Sequence, residues 1–233
     1  MEGVFLSLYT LGDLHLSLGT DKPMDIFRGW DNYTKLIQDT WNYLVKPEDT
    51  VVVPGDISWA MKLSETYEDF SFIDKLHGTK ILLKGNHDLW FSTKKKVEDY
   101  LQEQGFSSIR ILFNNAYPYE DYVICGTRGW IYEPNQPADQ KVLAREAGRL
   151  RLSLEDGKKT GKQPIVFLHY PPIYASNESY EILQVLHEYQ VKQCYYGHIH
   201  GHSCQYAING ERGGIQYRLV SCDFAQFTPV KVL

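Results

Sequence analysis

With 233 residues, 43% of them apolar, the chain can bury a sizeable core, and one domain spanning 1–233 is the expectation. A net charge of −5 gives no basic signature for a general electrostatic grip on nucleic acid, which is disfavoured as a partner. No apolar run approaches the roughly 20 residues of a membrane span, and the N-terminus lacks a basic segment followed by a long apolar one, so the chain reads as soluble and cytoplasmic. Cys125, Cys194, Cys204 and Cys222 form no Cys-x-x-Cys pair and read as small core residues.

In chain order, Val4 to Leu11 is an apolar run suited to a buried strand, and it ends in Asp13-Leu14-His15. Alternation along an extended segment would put Asp13 and His15 on one side. Residues 16–30 read as a loop, and a helix is predicted from Asp31 to Val45. Thr50 to Pro54 is a β-branched strand ending in Gly55-Asp56, and a helix follows over Leu63 to Leu76. Thr79 to Leu83 is a strand leading into Gly85-Asn86-His87-Asp88. Ser92 is placed to cap the next helix, which runs to Gln104 with Gly105 as its stop. Strand, polar loop and helix thus alternate three times, which argues for a parallel sheet flanked by helices, with the loops at its carboxyl edge.

Ile109 to Phe113 and Tyr122 to Gly126 read as two more strands, with Tyr117, Pro118, Glu120 and Asp121 in the turn between them. Thr127-Arg128-Gly129-Trp130 follows as a polar loop, and a helix is predicted over Ala138 to Glu155. The basic turn at Lys158 to Lys162 reads as solvated loop rather than phosphate site. Pro164 to Leu168 is strand-like and ends in His169-Tyr170-Pro171-Pro172. A helix over Tyr180 to Tyr189 leads to the strand Lys192 to Tyr196, which ends in Gly197-His198-Ile199-His200. Ser203 to Ile208, Gly214 to Cys222 and Thr228 to Leu233 read as short strands, with a hairpin turn over Asn209 to Gly214.

Five strand ends therefore carry Asp13, His15, Asp56, Asn86, His87, Asp88, His169, His198 and His200, including five of the eight histidines. One such residue is usually a cap or a satisfied polar group. Five strand ends of this kind are better explained by a shared ligand, because clustered polar groups are unfavourable without one. Imidazole and oxygen donors without thiolate suit Mn²⁺, Fe or Zn²⁺, and the donors exceed what one ion needs.

Asp13-x-His15, Gly55-Asp56, Gly85-Asn86-His87-Asp88, His169 and Gly197-His198-x-His200, in this order, resemble the calcineurin-like metallophosphoesterase superfamily. The resemblance implies a four-layer αββα sandwich, an α/β fold of two mixed sheets flanked by helices. It implies two divalent metal ions: Asp13, His15 and His200 on the first, Asn86, His169 and His198 on the second, and Asp56 between them. His87 would lie beside the phosphate and Asp88 would orient it. The implied reaction is hydrolysis of a phosphate mono- or diester by direct attack of a metal-bridging hydroxide. Gly126-Thr127-Arg128-Gly129-Trp130, His169-Tyr170-Pro171-Pro172 and Ser221-Cys222-Asp223 are also similar to a bacterial group of predicted phosphohydrolases, which supplies no substrate.

Arg128 is the candidate substrate-binding cation outside the metal shell, with pairing to an acidic residue as its structural alternative. Trp30, Trp59, Trp90 and Trp130, with Phe91, Tyr132, Tyr170 and Tyr174, either pack under the site loops or line a pocket for a flat group such as a nucleobase. Three readings follow: a small-molecule or nucleotide phosphoesterase, a nuclease of the same superfamily, and a catalytically silent protein-binding scaffold. UDP-diacylglucosamine hydrolases resemble this chain but usually carry Arg where His87 stands, which disfavours their substrate.

Overall fold

The computed structural model describes residues 6–131 and 137–233. Its elements in chain order are β1 (Leu8–Thr10), α1 (Tyr33–Leu44), β2 (Thr50–Pro54), α2 (Tyr67–Lys75), β3 (Thr79–Leu83), α3 (Lys94–Gln104), β4 (Ile109–Leu112), β5 (Tyr117–Tyr119) and β6 (Tyr122–Thr127). There follow α4 (Pro137–Lys158), β7 (Gln163–Leu168), β8 (Ile173–Tyr174), β9 (Asn177–Glu178), α5 (Tyr180–Glu188), β10 (Gln193–Tyr196), β11 (Gly210–Arg212), β12 (Ile215–Leu219) and β13 (Val230–Lys231).

Eleven of the strands form two mixed sheets rather than one parallel sheet, and β8 and β9 pair as a separate antiparallel hairpin. The first has the order β13-β1-β2-β3-β4 and the second β11-β12-β10-β7-β6-β5. β1 to β4 are parallel, as are β6, β7, β10 and β12, while β13, β5 and β11 add antiparallel edges. Strand periodicity assigns the layers. Val52, Ile81, Leu83, Ile124, Ile165 and Phe167 meet between the sheets. Their neighbours Val51, Val53 and Leu82 point outward into the core beneath α1, α2 and α3. Val123, Cys125, Val166 and Leu168 point outward beneath α4 and α5. Both faces of each central strand are therefore apolar, as a buried parallel strand requires. Each fully buried Val, Leu or Ile contributes about 1.5–3 kcal/mol of transfer free energy.

The sheets are joined at the edge where the polar loops emerge. Gly12 N–H donates to the Val220 carbonyl at 2.7 Å, and Cys222 N–H donates to the Gly12 carbonyl at 3.0 Å. This stitching brings strand ends from the two halves of the chain into register.

Several local expectations change. Thr93, not Ser92, caps α3, its hydroxyl accepting from Lys96 N–H at 3.3 Å. Ser203–Ile208 is not a strand, because Gly201–Tyr206 turns as a 3₁₀ helix after His200. Tyr117 and Pro118 belong to β5, which pairs with β6, so only Glu120 and Asp121 remain in the turn. Pro is tolerated there because β5 is an edge strand. The expected strand start at Val4 and the pocket residue Tyr132 lie outside the described residues.

Candidate metal centre

The site is built where β1, β2, β3, β7 and β10 end. At four of its positions the chain leaves its strand in the left-handed region: φ is 58° at Asp13, 45° at His15, 50° at Asp56 and 73° at His198. Asp and His tolerate this conformation better than most residues, and strain of this kind collects at functional sites. Asp13 and His15 share the site through these turns and not through strand alternation, since β1 has already ended at Thr10.

Two sets of donors result. Asp13, His15 and His200 form one, and Asp56, His169 and His198 the other, with the donor atoms within 4.8 Å of one another in each. Asn86 completes the second set: its Oδ1 lies 2.6 Å from His169 Nε2 and 3.0 Å from His198 Nδ1. Asp56 stands between them. Its Oδ1 accepts the backbone N–H of His87 at 2.8 Å, while Oδ2 lies 3.8 Å from His15 Nε2 and 3.5 Å from His169 Nε2. Two glycines make the carboxylates fit. A Cβ on Gly85 would overlap the Asp56 carboxylate, and one on Gly197 would overlap that of Asp13.

Outer hydrogen bonds aim the imidazoles. His169 Nδ1–H donates to the Pro54 carbonyl at 3.1 Å, which leaves Nε2 as the free donor atom. His200 Nδ1 lies 2.9 Å from Asp223 Oδ1, which likewise frees Nε2. Asp223 Oδ2 also accepts from Gly201 N–H at 2.7 Å. Asp13 is held by His198 N–H, 2.9 and 3.0 Å from its two oxygens.

Electrostatically the protein groups alone are mismatched. Burial and the charge of Asp13 push the Asp56 carboxyl up to about 8. Asp13 itself is held below the usual range: burial opposes this, but His200, His169 and His15 outweigh it. Burial lowers His15 to about 3 and, with repulsion from His169, lowers His198 to about 3. Burial would also lower His200, yet its bonds to Asp13 and Asp223 raise it to about 10. Imidazoles that burial keeps neutral at His15, His169 and His198, facing two buried, mutually repelling carboxylates, are donors that divalent cations satisfy. The arrangement fits a dinuclear divalent metal site.

The remaining expected residues divide. His87 is at the site: its Nε2 lies 4.0 Å from Asp56 Oδ2, its side chain is 43% exposed, and its ring packs at 4.4 Å from that of Trp59. Among the described residues, the hydrogen bonds of Asp88 run elsewhere than to that ring. Its oxygens accept from Ile57 N–H, Ser58 N–H, Gly85 N–H and Trp90 Nε1–H, so it ties the Asp56 turn to the Asn86 turn. Arg128 pairs with Glu146 at 3.3 Å and lies over the Trp130 ring. Trp90 is buried in the core, and Trp130 packs on Tyr170. Trp30 and Trp59 instead line a cavity of about 410 Å³ beside His15, His87 and His200, together with Phe27 and Arg28. Asp223 was legible only as a carboxylate after a late strand. Phe27 and Arg28 lie in what reads as plain loop.

Replacing Asp223 with Ala is expected to weaken one metal ion about 10–100-fold, as loss of a carboxylate behind a ligating imidazole does, and to leave the other unaffected. Competitive Mn²⁺ titration against a chelator would show two classes of ion. Equal affinities for both ions, unchanged by the substitution, would remove Asp223 from this role.

A family model for calcineurin-like phosphoesterases matches residues 6–202. Among solved structures, the chain is similar to TT1561 of Thermus thermophilus, with 13% identity, 98% of this chain and 99% of that one covered, and a TM-score of 0.55. It is similar to AQ665, a protein of unknown function from Aquifex aeolicus, with 16% identity, 97% and 96% coverage and a TM-score of 0.53. The phosphopantetheinyl hydrolase PptH from Mycobacterium tuberculosis shares 14% identity over 97% of this chain and 95% of that one, with a TM-score of 0.52. At these identities the likeness is one of fold. No curated protein sequence matches the chain significantly.

Proposed function

The chain belongs to the calcineurin-like phosphoesterase family, and from that premise we propose that it hydrolyses a small-molecule or nucleotide phosphate ester without a phosphoenzyme intermediate. The observation that carries this reading is the placement of His87. Its imidazole stands 4.0 Å from Asp56 Oδ2 and 5.6 Å from the His15 ring, and lines the cavity walled by Phe27, Trp30 and Trp59.

Asp13, His15 and His200 would hold one divalent ion, Asn86, His169 and His198 the other, and Asp56 both. Two such ions supply Lewis acidity toward phosphate oxygens and toward water. The chain's own groups do the rest. His87 N–H fixes Asp56 Oδ1 and so aims Oδ2 inward. The His87 ring is lowered in pKa by burial and by His169. A phosphate dianion beside it would favour its charged form, so that it neutralises the ester or protonates the leaving oxygen. Trp59 stacks on His15 and tilts against His87, which restricts both rings. The leaving group would occupy the aromatic cavity, with Arg28 at its wall.

The nuclease and scaffold readings gain no comparable support. A net charge of −5 does not favour nucleic acid, and a scaffold has no use for an imidazole held over two metal-binding sets.

The Mn²⁺-loaded protein should be assayed on an aryl phosphate monoester, a bis-aryl phosphodiester, cyclic nucleotides and single-stranded DNA. Hydrolysis of an ester in the first three classes is expected. Phe27→Ala should raise KM for aryl or nucleotide esters about tenfold, in line with about 1–3 kcal/mol for stacking on one base, and leave a short alkyl phosphate unaffected. Equal effects on both would place the leaving group elsewhere, and turnover of DNA alone would favour the nuclease.

A further inference from the structure

Away from the aromatic cavity, a second, polar cavity of about 190 Å³ opens where β3, β4 and β6 end against α4. Four cationic side chains line it: Lys84, Arg128, Arg145 and Arg149. Its carboxylate is Glu146, which is fully buried. All three arginines converge on one oxygen of that carboxylate. Oε1 lies 2.7 Å from Arg149 Nη1, 3.3 Å from Arg128 Nη2 and 3.8 Å from Arg145 Nε. The other oxygen accepts from the Thr127 hydroxyl at 3.0 Å.

One carboxylate cannot neutralise three guanidinium groups and an ammonium. Lys84 has no carboxylate within ion-pair distance among the described residues; its Nζ donates to the Phe91 carbonyl at 3.0 Å. Arg128 Nε is buried and has no hydrogen-bond partner among the described residues. Grouping like charges in a partly closed polar pocket is unfavourable unless an anion joins them.

The cations are also held in place. Lys84 lies over the Phe91 ring at 5.4 Å, Arg128 over Trp130 at 5.0 Å and Arg149 over Phe113 at 5.1 Å. Aromatic platforms of this kind fix a guanidinium or ammonium without neutralising it. A rigid fork of donors facing a small cavity matches a tetrahedral oxyanion, to which arginine donates in pairs.

We propose that this cavity is a second phosphate-binding site, separate from the metal centre and adjacent to it. The backbone links the two. The Arg128 carbonyl accepts the N–H groups of His169 at 3.1 Å and Tyr170 at 2.8 Å, and Lys84 immediately precedes Gly85-Asn86. The phosphate is either a second phosphoryl group of the substrate or free inorganic phosphate. The recognition chemistry is the same for both, and it does not depend on the ester-hydrolysis reading of the metal centre.

The test counts phosphate sites on the Mn²⁺-loaded full-length chain by calorimetric titration at constant ionic strength. Two inorganic phosphates per chain are expected. Lys84→Gln combined with Arg149→Met should leave one. Arg145→Gln, at a more exposed side chain, should weaken the second site about tenfold, equal to about 1.4 kcal/mol, with the melting temperature unchanged. Two esters then distinguish the sources. A rise in KM for a bisphosphate ester, but not for the matching monophosphate, identifies a substrate subsite. Unchanged KM for both, with the second site lost from the titration, identifies free phosphate as the ligand. A phosphate count that the double variant leaves unchanged would overturn the proposal. If the protein hydrolyses no ester, the count still decides the question.

Discussion

Replacing His87 with Gln is expected to lower kcat about 10²–10⁴-fold, the range for a positioned acid–base group, while the protein keeps two metal ions per chain. The expectation follows from where the two parts of His87 lie. Its backbone N–H holds Asp56 Oδ1 at 2.8 Å, and the substitution preserves that bond. Its imidazole is 4.0 Å from Asp56 Oδ2, beyond hydrogen-bond distance, and faces the aromatic cavity. Glutamine therefore removes a proton donor and leaves the carboxylate in place. Metal analysis beside steady-state kinetics checks this. Loss of an ion with the loss of rate would make His87 part of the metal shell.

Asp56→Asn should have opposite effects on activity and on metal-free stability. Asp56 Oδ2 lies 3.8 Å from His15 Nε2 and 3.5 Å from His169 Nε2, one member of each set, so metal binding should fail. The rate should fall at least about 10³-fold, since such ions supply several kcal/mol of charge stabilisation in the transition state. Without metal, however, the Asp56 carboxyl is raised to about 8 by burial and by Asp13. The folded chain then holds a proton that the unfolded chain has released, so stability is fully present below about pH 4 and is lost as pH rises toward 8. Asparagine carries no such charge. The metal-free variant should melt above the metal-free parent at pH 8, and the difference should shrink toward pH 5. Identical melting curves at both pH values would mean that Asp56 carries no electrostatic load.

The site was legible because each of its members follows an apolar run and carries a donor side chain. Asp13, Asp56, Asn86, His169, His198 and His200 could be gathered on that ground, and the structure brings all of them together with His15. The two sheets were not legible from periodicity. Val51 to Val53 and Ile81 to Leu83 are apolar on both faces, which is equally what one sheet between helices would require. The turns at Asp13 and His15 were hidden for a related reason. Alternation gave a correct grouping by the wrong geometry, since both residues have positive φ.

Partners of side chains were harder still. Asp88 is adjacent to His87 in sequence, yet its bonds run to the Asp56 turn 30 and 31 residues away. Asp223 stands behind His200 after a separation of 23 residues. Trp90, next to the Gly85-to-Asp88 motif, is a poor guide to the cavity wall, which Trp30 and Trp59 line. Trp90 donates to Asp88 inside the core, whereas Phe27 and Arg28 reach the cavity from a loop whose sequence shows no periodicity.

Gly85 and Gly197 belong to the same account. Each lets a neighbouring backbone pass against a carboxylate that a Cβ would displace. Turn strain and glycine placement both serve Asp13 and Asp56, the two acidic members of the candidate centre.

The central claim is a dinuclear centre that shares Asp56. Anomalous diffraction from crystals of the Mn²⁺-loaded protein tests it most directly. Two peaks are predicted, one bounded by Asp13, His15 and His200 and the other by Asn86, His169 and His198, with an Asp56 oxygen contacting both. A single peak, or two peaks of which only one touches Asp56, would contradict it.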